Sequence, residues 1–324
     1  MKSYDVTSLG ELLIDFTENG KSEQGNCMFE ANPGGAPCNV LAMLAKLGYK
    51  TSFIGKVGDD FFGNQLKSSL DELNIDAGYL YRDEKIHTTL ALVHTDPDGD
   101  RDFSFYRNPG ADMMLTEDEV PKNRISDSRI FHYGSLSMTH EGVRKATKKA
   151  IRIAEDSKAI LSFDPNLRPP LWETLDDAKE QILYGLAHCH ILKISDNEIQ
   201  WLTGEDDFTA GVNWIRDRFD IKLILVSMGK EGSRAYCGET MVEVLPFLQK
   251  KTIETTGAGD TFGGCILAYV LEHGLDHLTR ENLTEMLTFA NAAASLITTK
   301  KGALRVMPTK EEISALIEYR RNYK

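Results

Sequence analysis

The chain has 324 residues, 41% of them hydrophobic and 27% charged, a make-up that suits a soluble globular protein with a sizeable core. Its 37 basic and 49 acidic side chains leave a net charge of −12, which disfavours nucleic acid or an anionic membrane as a partner but still allows an anionic small molecule held locally by backbone N–H groups. No run of 18 apolar residues suggests a membrane span, Met1–Gly10 carries no long apolar stretch and so no secretory leader is expected, and five scattered cysteines (Cys27, Cys38, Cys189, Cys237, Cys265) fit reduced thiols in the cytoplasm.

Apolar runs and helical patterns alternate along the chain. Tyr4–Leu9 reads as a strand, Gly35–Leu47 as a helix, Thr51–Val57 as a strand, and Asp60–Leu73 as a helix with Phe61, Phe62, Leu66, Leu70 and Leu73 at helical spacing. The rhythm resumes with strands at Arg129–Tyr133, Ala159–Phe163, His190–Ile194 and Lys222–Ser227, and helices at Glu141–Glu155 and Asp177–Leu186. Helical segments near Ala258–Glu272, Glu281–Ile297 and Lys310–Tyr319 close the chain. Repeated βα units imply a single α/β domain over residues 1–324, a mostly parallel sheet flanked by helices. Two stretches, 12–30 and 87–107, instead alternate apolar with polar residues and carry turn signals such as Asp98-Gly99. They predict a small sheet of antiparallel strands outside the main one, placed to act as a lid over a ligand.

The segment Glu254-Thr255-Thr256-Gly257-Ala258-Gly259-Asp260-Thr261-Phe262 leads into the apolar helix, so its glycines fall at a loop-to-helix junction. Backbone N–H groups there can approach a phosphate, and the helix dipole favours an ionised Asp260 in the first turn. A carboxylate beside an anion hole is what hydroxyl-to-phosphate transfer needs: Asp260 takes the hydroxyl proton, and the N–H groups of Gly257, Ala258 and Gly259 hold the transferring charge. A bare G-x-G-D is more often a turn followed by an acidic helix start, but the two threonines and the apolar helix that follows favour function. No Gly-Lys-Ser/Thr follows, so the string is not a Walker A loop.

This string closely resembles the second signature of the ribokinase-like (PfkB) carbohydrate kinases. Asn32-Pro33-Gly34-Gly35-Ala36-Pro37-Cys38-Asn39-Val40-Leu41-Ala42 resembles their amino-terminal di-glycine signature, continued by Leu47-Gly48 and by Ile54 to Gly63. Within the family, Gly10-Glu11-Leu12-Leu13-Ile14-Asp15, Phe105 to Met113 and Asp164-Pro165-Asn166-Leu167-Arg168 are most similar to fructokinases. The resemblance implies transfer of the ATP γ-phosphate to the hydroxymethyl group of D-fructose, with ribose, 2-keto-3-deoxygluconate or adenosine as alternative acceptors. A non-catalytic sensor on the same fold is a rival from another class, against which the complete Asp260 motif speaks. A dehydrogenase is disfavoured because no G-x-G-x-x-G follows the first strand.

By the same resemblance, Asp15, Gly34, Gly35 and Asn39 contact sugar hydroxyls, while Arg107 on the lid and Arg168 after a strand close over the sugar or approach the phosphate. Lys193, Ser227, Gly229, Gly232, Gly257, Gly259 and Asn291 fall on the nucleotide side. Glu198 is implied to organise Mg²⁺ through water, although Ser195 stands where relatives often carry Asn and also reads as an ordinary helix cap. Lys300-Lys301-Gly302-Ala303 resembles a closing loop beside a monovalent-cation site, with K⁺ as candidate and Glu254 in place of the usual Asp. A homodimer formed through the lid is also expected. His188-Cys189-His190 has no second cluster with which to hold a metal and reads as core and surface.

Overall fold

The computed structural model describes residues 2–95, 101–276 and 278–323; the Asp98-Gly99 turn signal lies outside them. Nine strands form the main sheet. Seven of them run parallel: β1 (Tyr4–Leu9), β4 (Thr51–Gly58), β5 (Asp76–Asp83), β8 (Ser128–Gly134), β9 (Ile160–Asp164), β10 (Ile191–Ser195) and β11 (Leu223–Ser227). The antiparallel strands β12 (Ser233–Cys237) and β13 (Thr240–Val244) finish one edge, in the order 13-12-11-10-9-8-1-4-5.

The strand side chains alternate, so that Phe53, Ile130, Ile191, Leu223 and Leu225 enter one core, while Ile54, Phe131, Leu192, Ile224 and Val226 enter the other. The first core is covered by α1 (Ala36–Lys46), α2 (Phe61–Glu72), α8 (Ala258–His273), α9 (Arg280–Ile297) and α10 (Lys310–Tyr323). The second is covered by α3 (Lys122–Ser126), α4 (Glu141–Asp156), α5 (Leu175–His188), α6 (Asp196–Thr203) and α7 (Phe208–Arg216). Burial on both faces explains why these strands read as continuous apolar runs.

The predicted lid is a separate four-stranded sheet with β2 (Leu13–Lys21) and β3 (Cys27–Gly34) followed by β6 (Leu90–Thr95) and β7 (Arg101–Tyr106), in the order 3-2-6-7. It is not wholly antiparallel: β2 and β6 pair in parallel, with Ile14 opposite Leu90, because the chain between them detours through α1, β4, α2 and β5 of the main sheet. Strand β5 was not legible as a strand: it lies at the sheet edge, and its half-buried sequence DAGYLYRD has no clean alternation.

The chain leaves β1 toward β4 on one side and later returns to β8 on the other. Ligands of open α/β sheets settle at such a switch, outside the carboxyl ends of the strands. There residues of the small sheet and of the starts of α1 and α8 border one cavity.

Candidate active site

Two cavities meet at the start of α8. The first, about 270 Å³, is lined by Glu11, Leu13 and Asp15 at the base of the lid, Phe105 on the lid, Gly35 and Asn39 at the start of α1, and Asn166, Arg168, Lys193 and Asp260 from the main domain. The second, about 280 Å³ and more apolar, is lined by Ser227, Gly229, Gly232, Phe247, Ala258 and Asn291 among others. Thr255 and Gly259 border both, so a group passing between the cavities must cross the glycine loop.

Gly257 caps α8 in the left-handed region at φ 78°, which a side chain rarely adopts. The first helical bond runs from the Thr261 N–H to the Gly257 carbonyl, 2.8 Å, so helix pairing leaves the first-turn amides of Gly259 and Asp260 unused. The Ala258 N–H differs from expectation: it turns back to the Thr255 carbonyl at 3.2 Å and is a weaker candidate for the anion hole. Lys193 faces the same turn, since a Cβ at Gly259 would lie 3.1 Å from its Nζ.

Asp260 is buried, and its Oδ2 accepts a 2.8 Å hydrogen bond from Asn39 Nδ2. That bond requires α1 and α8 to come close, and Gly264 permits it: a Cβ there would stand 2.7 Å from Met43 Cβ. Burial pushes the Asp260 carboxyl up to about 6, with Asp164 adding to the rise and the Asn39 bond, Lys193 and Arg168 opposing it. A base poised just below neutrality is ionised at working pH yet still basic. Turnover should therefore rise with pH through about 6 and then level off. Glu11, which burial pushes up to about 7 in the same cavity, could overlay a second inflection. A pH profile of Asp260→Asn checks the assignment, because residual activity that keeps the step near 6 would rule it out.

Lys193 Nζ pairs with Asp164 Oδ2 at 2.9 Å, the aspartate buried and the lysine largely so. Burial alone would lower the Lys193 pKa, but Asp164, Glu198 and Asp260 outweigh it and raise it, so the ammonium stays charged beside the glycine loop. Asn39 Oδ1 is buried without a hydrogen-bond partner, an acceptor that a bound hydroxyl would satisfy.

Asp15, Gly35, Asn39, Arg168, Gly257, Gly259 and Asp260 all border the first cavity, with Lys193 among them. Ser227, Gly229, Gly232 and Asn291 border the second. Asn291 accepts from Ser233 Oγ at 2.9 Å and donates to the Val244 carbonyl at 3.0 Å, which ties the cavity wall to the β12–β13 hairpin. Gly34 lies behind the wall; a Cβ on it would collide with the Asp15 carboxylate.

Arg107 is placed apart from the cavity wall. Its guanidinium is buried behind the wall, bonded to Asp112 at 2.8 Å, to Thr139 Oγ1 at 2.9 Å and to the Leu136 carbonyl at 3.0 Å. It holds Leu136, which lines the cavity, and does not line it itself. A buried arginine needs such pairing, and the lid base supplies it.

Glu198 borders a neighbouring hollow with Asn166, Arg168, Lys193 and Ser195. Its Oε2 accepts from the Ser195 N–H and Oγ at 2.8 and 2.9 Å, and its Oε1 accepts from the Leu167 N–H at 2.7 Å. The cap reading of Ser195 thus holds, and Glu198 fixes the Asn166–Arg168 turn. Glu11 and Asn166 were missed as site residues although both stand inside strings singled out in the sequence; a polar side chain two positions past the carboxyl end of a buried parallel strand was the available signal.

A profile of the pfkB family carbohydrate kinases matches residues 4–310. Fold and site define a sugar kinase, and the chain belongs to the pfkB family of carbohydrate kinases. Fructokinase-1 of Zea mays is 40% identical over 315 residues, 97% of each chain. A crystal structure of fructokinase from Xylella fastidiosa with bound ATP superposes with a TM-score of 0.89 at 30% identity, covering 99% of this chain and all of that one. A double mutant of fructokinase from Vibrio cholerae, bound to fructose, ADP and potassium ion, gives 0.86 at 27% identity over 98% of this chain and 99% of that one.

Proposed function

We infer that this enzyme is an ATP-dependent fructokinase that transfers the γ-phosphate to the hydroxymethyl group of D-fructose and yields fructose 6-phosphate. The observation that carries the reading is the position of Asp260, held by Asn39 in the polar cavity beside Gly259, which also borders the apolar one.

The sugar lies in the first cavity and the nucleotide base in the second, with the triphosphate reaching over Gly259. Asp260 takes the proton from the sugar hydroxyl as its oxygen bonds to the γ-phosphorus and the bond from phosphorus to the ADP oxygen breaks. The first-turn amides and Lys193 stabilise charge on the transferring group. Leu13, Asp15 and Phe105 bring the lid into the cavity wall, where a closed lid keeps water from the phosphate.

A divalent ion bound to ATP supplies charge neutralisation on the phosphates. Among the described residues no group of three metal-ligating side chains forms a cage, and Glu198 already accepts three hydrogen bonds. These residues fit Mg²⁺ that rides on the nucleotide and meets Glu198 through water. Glu254 is buried with no ion pair among the described residues and accepts from the Gly302 N–H at 3.0 Å. A buried carboxylate of this kind is costly without a cation, which fits K⁺ nearby.

The lid exposes Met28, Phe29 and Tyr106, and its edge strands β3 and β7 end the sheet. Covering such an edge favours a homodimer through the lid; a light-scattering mass near 36.2 kDa would end that reading. All five cysteines are free thiols, in keeping with a cytoplasmic enzyme; tagged protein found outside the cytoplasm would refute this. No described helix is long and apolar enough to cross a membrane.

The deciding experiment is ADP formation with D-fructose, ribose, 2-keto-3-deoxygluconate and adenosine, with product identification, run with and without Mg²⁺ and with K⁺ or choline. Fructose should lead, with the phosphate on the 6-position and losses on omitting Mg²⁺ or K⁺. Preference for another acceptor would replace the substrate, and ligand binding without turnover on any acceptor would favour a sensor. Asp15→Ala should raise the fructose KM by about 10- to 100-fold, the loss of a hydrogen bond to a charged group, with the ATP KM within twofold. Equal damage to both would remove Asp15 from the sugar side.

A further inference from the structure

Glu11 has no part in the mechanism above, yet it is the most deeply buried carboxylate of the sugar cavity, only 4% exposed. It follows β1, where the chain turns from the main sheet into the lid. Its Oε1 accepts the Ala36 N–H at 2.9 Å. Helix α1 has no side-chain cap of its own at Gly35 and no acid in its first turn, so Glu11 provides the cap from another part of the chain. Gly35 makes the approach feasible, because a Cβ on it would strike the Glu11 carbonyl. Glu11 also borders a void of about 10 Å³, hardly the size of one water, shared with His132, Ser135 and Asp164.

The Glu11 carboxylate also accepts its own backbone N–H, but two oxygens offer about four acceptor sites, so these two bonds leave room for a hydroxyl. Glu11 forms no ion pair among the described residues; the nearby Arg107 is committed to Asp112. A carboxylate this buried is retained at a cost unless a ligand compensates it. On the fructokinase reading, we propose that Glu11 is a sugar-specificity residue: Oε1 holds the start of α1 while Oε2 accepts a hydrogen bond from a fructose hydroxyl that is not the one phosphorylated. Together with Asp15 and the open Asn39 Oδ1, this makes the cavity rich in acceptors, suited to a polyol and hostile to analogues that lack a hydroxyl.

The test separates the cap from the sugar contact. In Glu11→Gln the amide oxygen still accepts from Ala36 N–H, but an NH₂ replaces the second acceptor. Wild type and variant are compared on D-fructose and on singly deoxygenated fructoses, with thermal unfolding as a check on the fold. The expected result is at least a tenfold loss of kcat/KM on fructose, carried by KM, with the ATP KM within twofold. With one deoxy analogue the ratio of wild type to variant should fall below twofold, which names the hydroxyl. A loss below twofold on fructose, or a ratio undiminished for every analogue, overturns the proposal. Should Glu11→Gln not fold, Glu11→Asp is read by the same ratios. A wild type that does not phosphorylate fructose overturns the fructokinase reading and this proposal together, and shows in the control before either variant is compared.

Discussion

Asp260→Asn is expected to lower kcat by about 10²- to 10⁴-fold, the range for a lost general base, while the ATP KM stays within a few-fold. The substitution is nearly isosteric, and its amide oxygen can still accept from Asn39 Nδ2, which in the native enzyme bonds Asp260 at 2.8 Å. Stability should move the other way. The Asp260 pKa is raised from 3.8 to about 6, so the fold prefers the protonated carboxyl. Stability from this group is therefore full below about pH 3.8 and is lost as pH rises through 6. At pH 8 the native enzyme bears the whole cost, on the order of 3 kcal/mol at 1.36 kcal/mol per unit. The variant should then melt no lower than wild type at pH 8 while being almost inactive. Rapid-quench kinetics and calorimetry at that pH check both halves. Turnover within tenfold of wild type would remove Asp260 as the base, and a large drop in melting temperature would mean that the loss of activity came from misfolding.

Gly257→Ala is expected to cost about 10²- to 10³-fold in kcat, the scale of a damaged oxyanion hole, together with roughly 1–3 kcal/mol of stability. Two physical terms act at once. At φ 78° a Cβ is strained, and at this position it would meet Ala303 Cβ at 2.7 Å, far inside van der Waals contact. The strain belongs to the residue itself, whereas the collision belongs to the pair. Gly257→Ala with Ala303→Gly should therefore recover part of the activity and stability, leaving the φ term behind. If Gly257→Ala alone transfers phosphate at the native rate, the proposal that this loop holds the phosphate fails. If the double variant recovers nothing, the contact with Ala303 is not the cause.

The order of the βα units was legible because seven parallel strands buried on both faces must read as apolar runs, and Phe53, Ile130 and Leu192 lie in such runs. The glycine loop and Asp260 were legible for a different reason: the left-handed cap at Gly257 and the close approach of backbone to phosphate restrict residue choice within a few adjacent positions. Local chemistry of this sort leaves its mark on a local string, and so does the Ser195–Glu198 cap.

What depended on residues far apart could not be read that way. The sequence held Asn39 and Asp260 as separate candidates, 221 positions apart; only the packing of α1 on α8 across Met43 and Gly264 makes them a hydrogen-bonded pair. Arg107 was implied by resemblance to close over the sugar or approach the phosphate, and only the tertiary structure shows that Asp112, Thr139 and Leu136 take up its guanidinium. The parallel pairing of β2 with β6 likewise follows from the detour of the chain between them and not from either strand's own pattern. Composition, periodicity and short motifs by themselves determined the layers, the small separate sheet and the glycine loop that carries Asp260, because each is a property of neighbouring residues. Which carboxylates are buried, paired or poised to titrate was decided by tertiary structure, because desolvation and the nearest opposite charge come from segments distant in the chain.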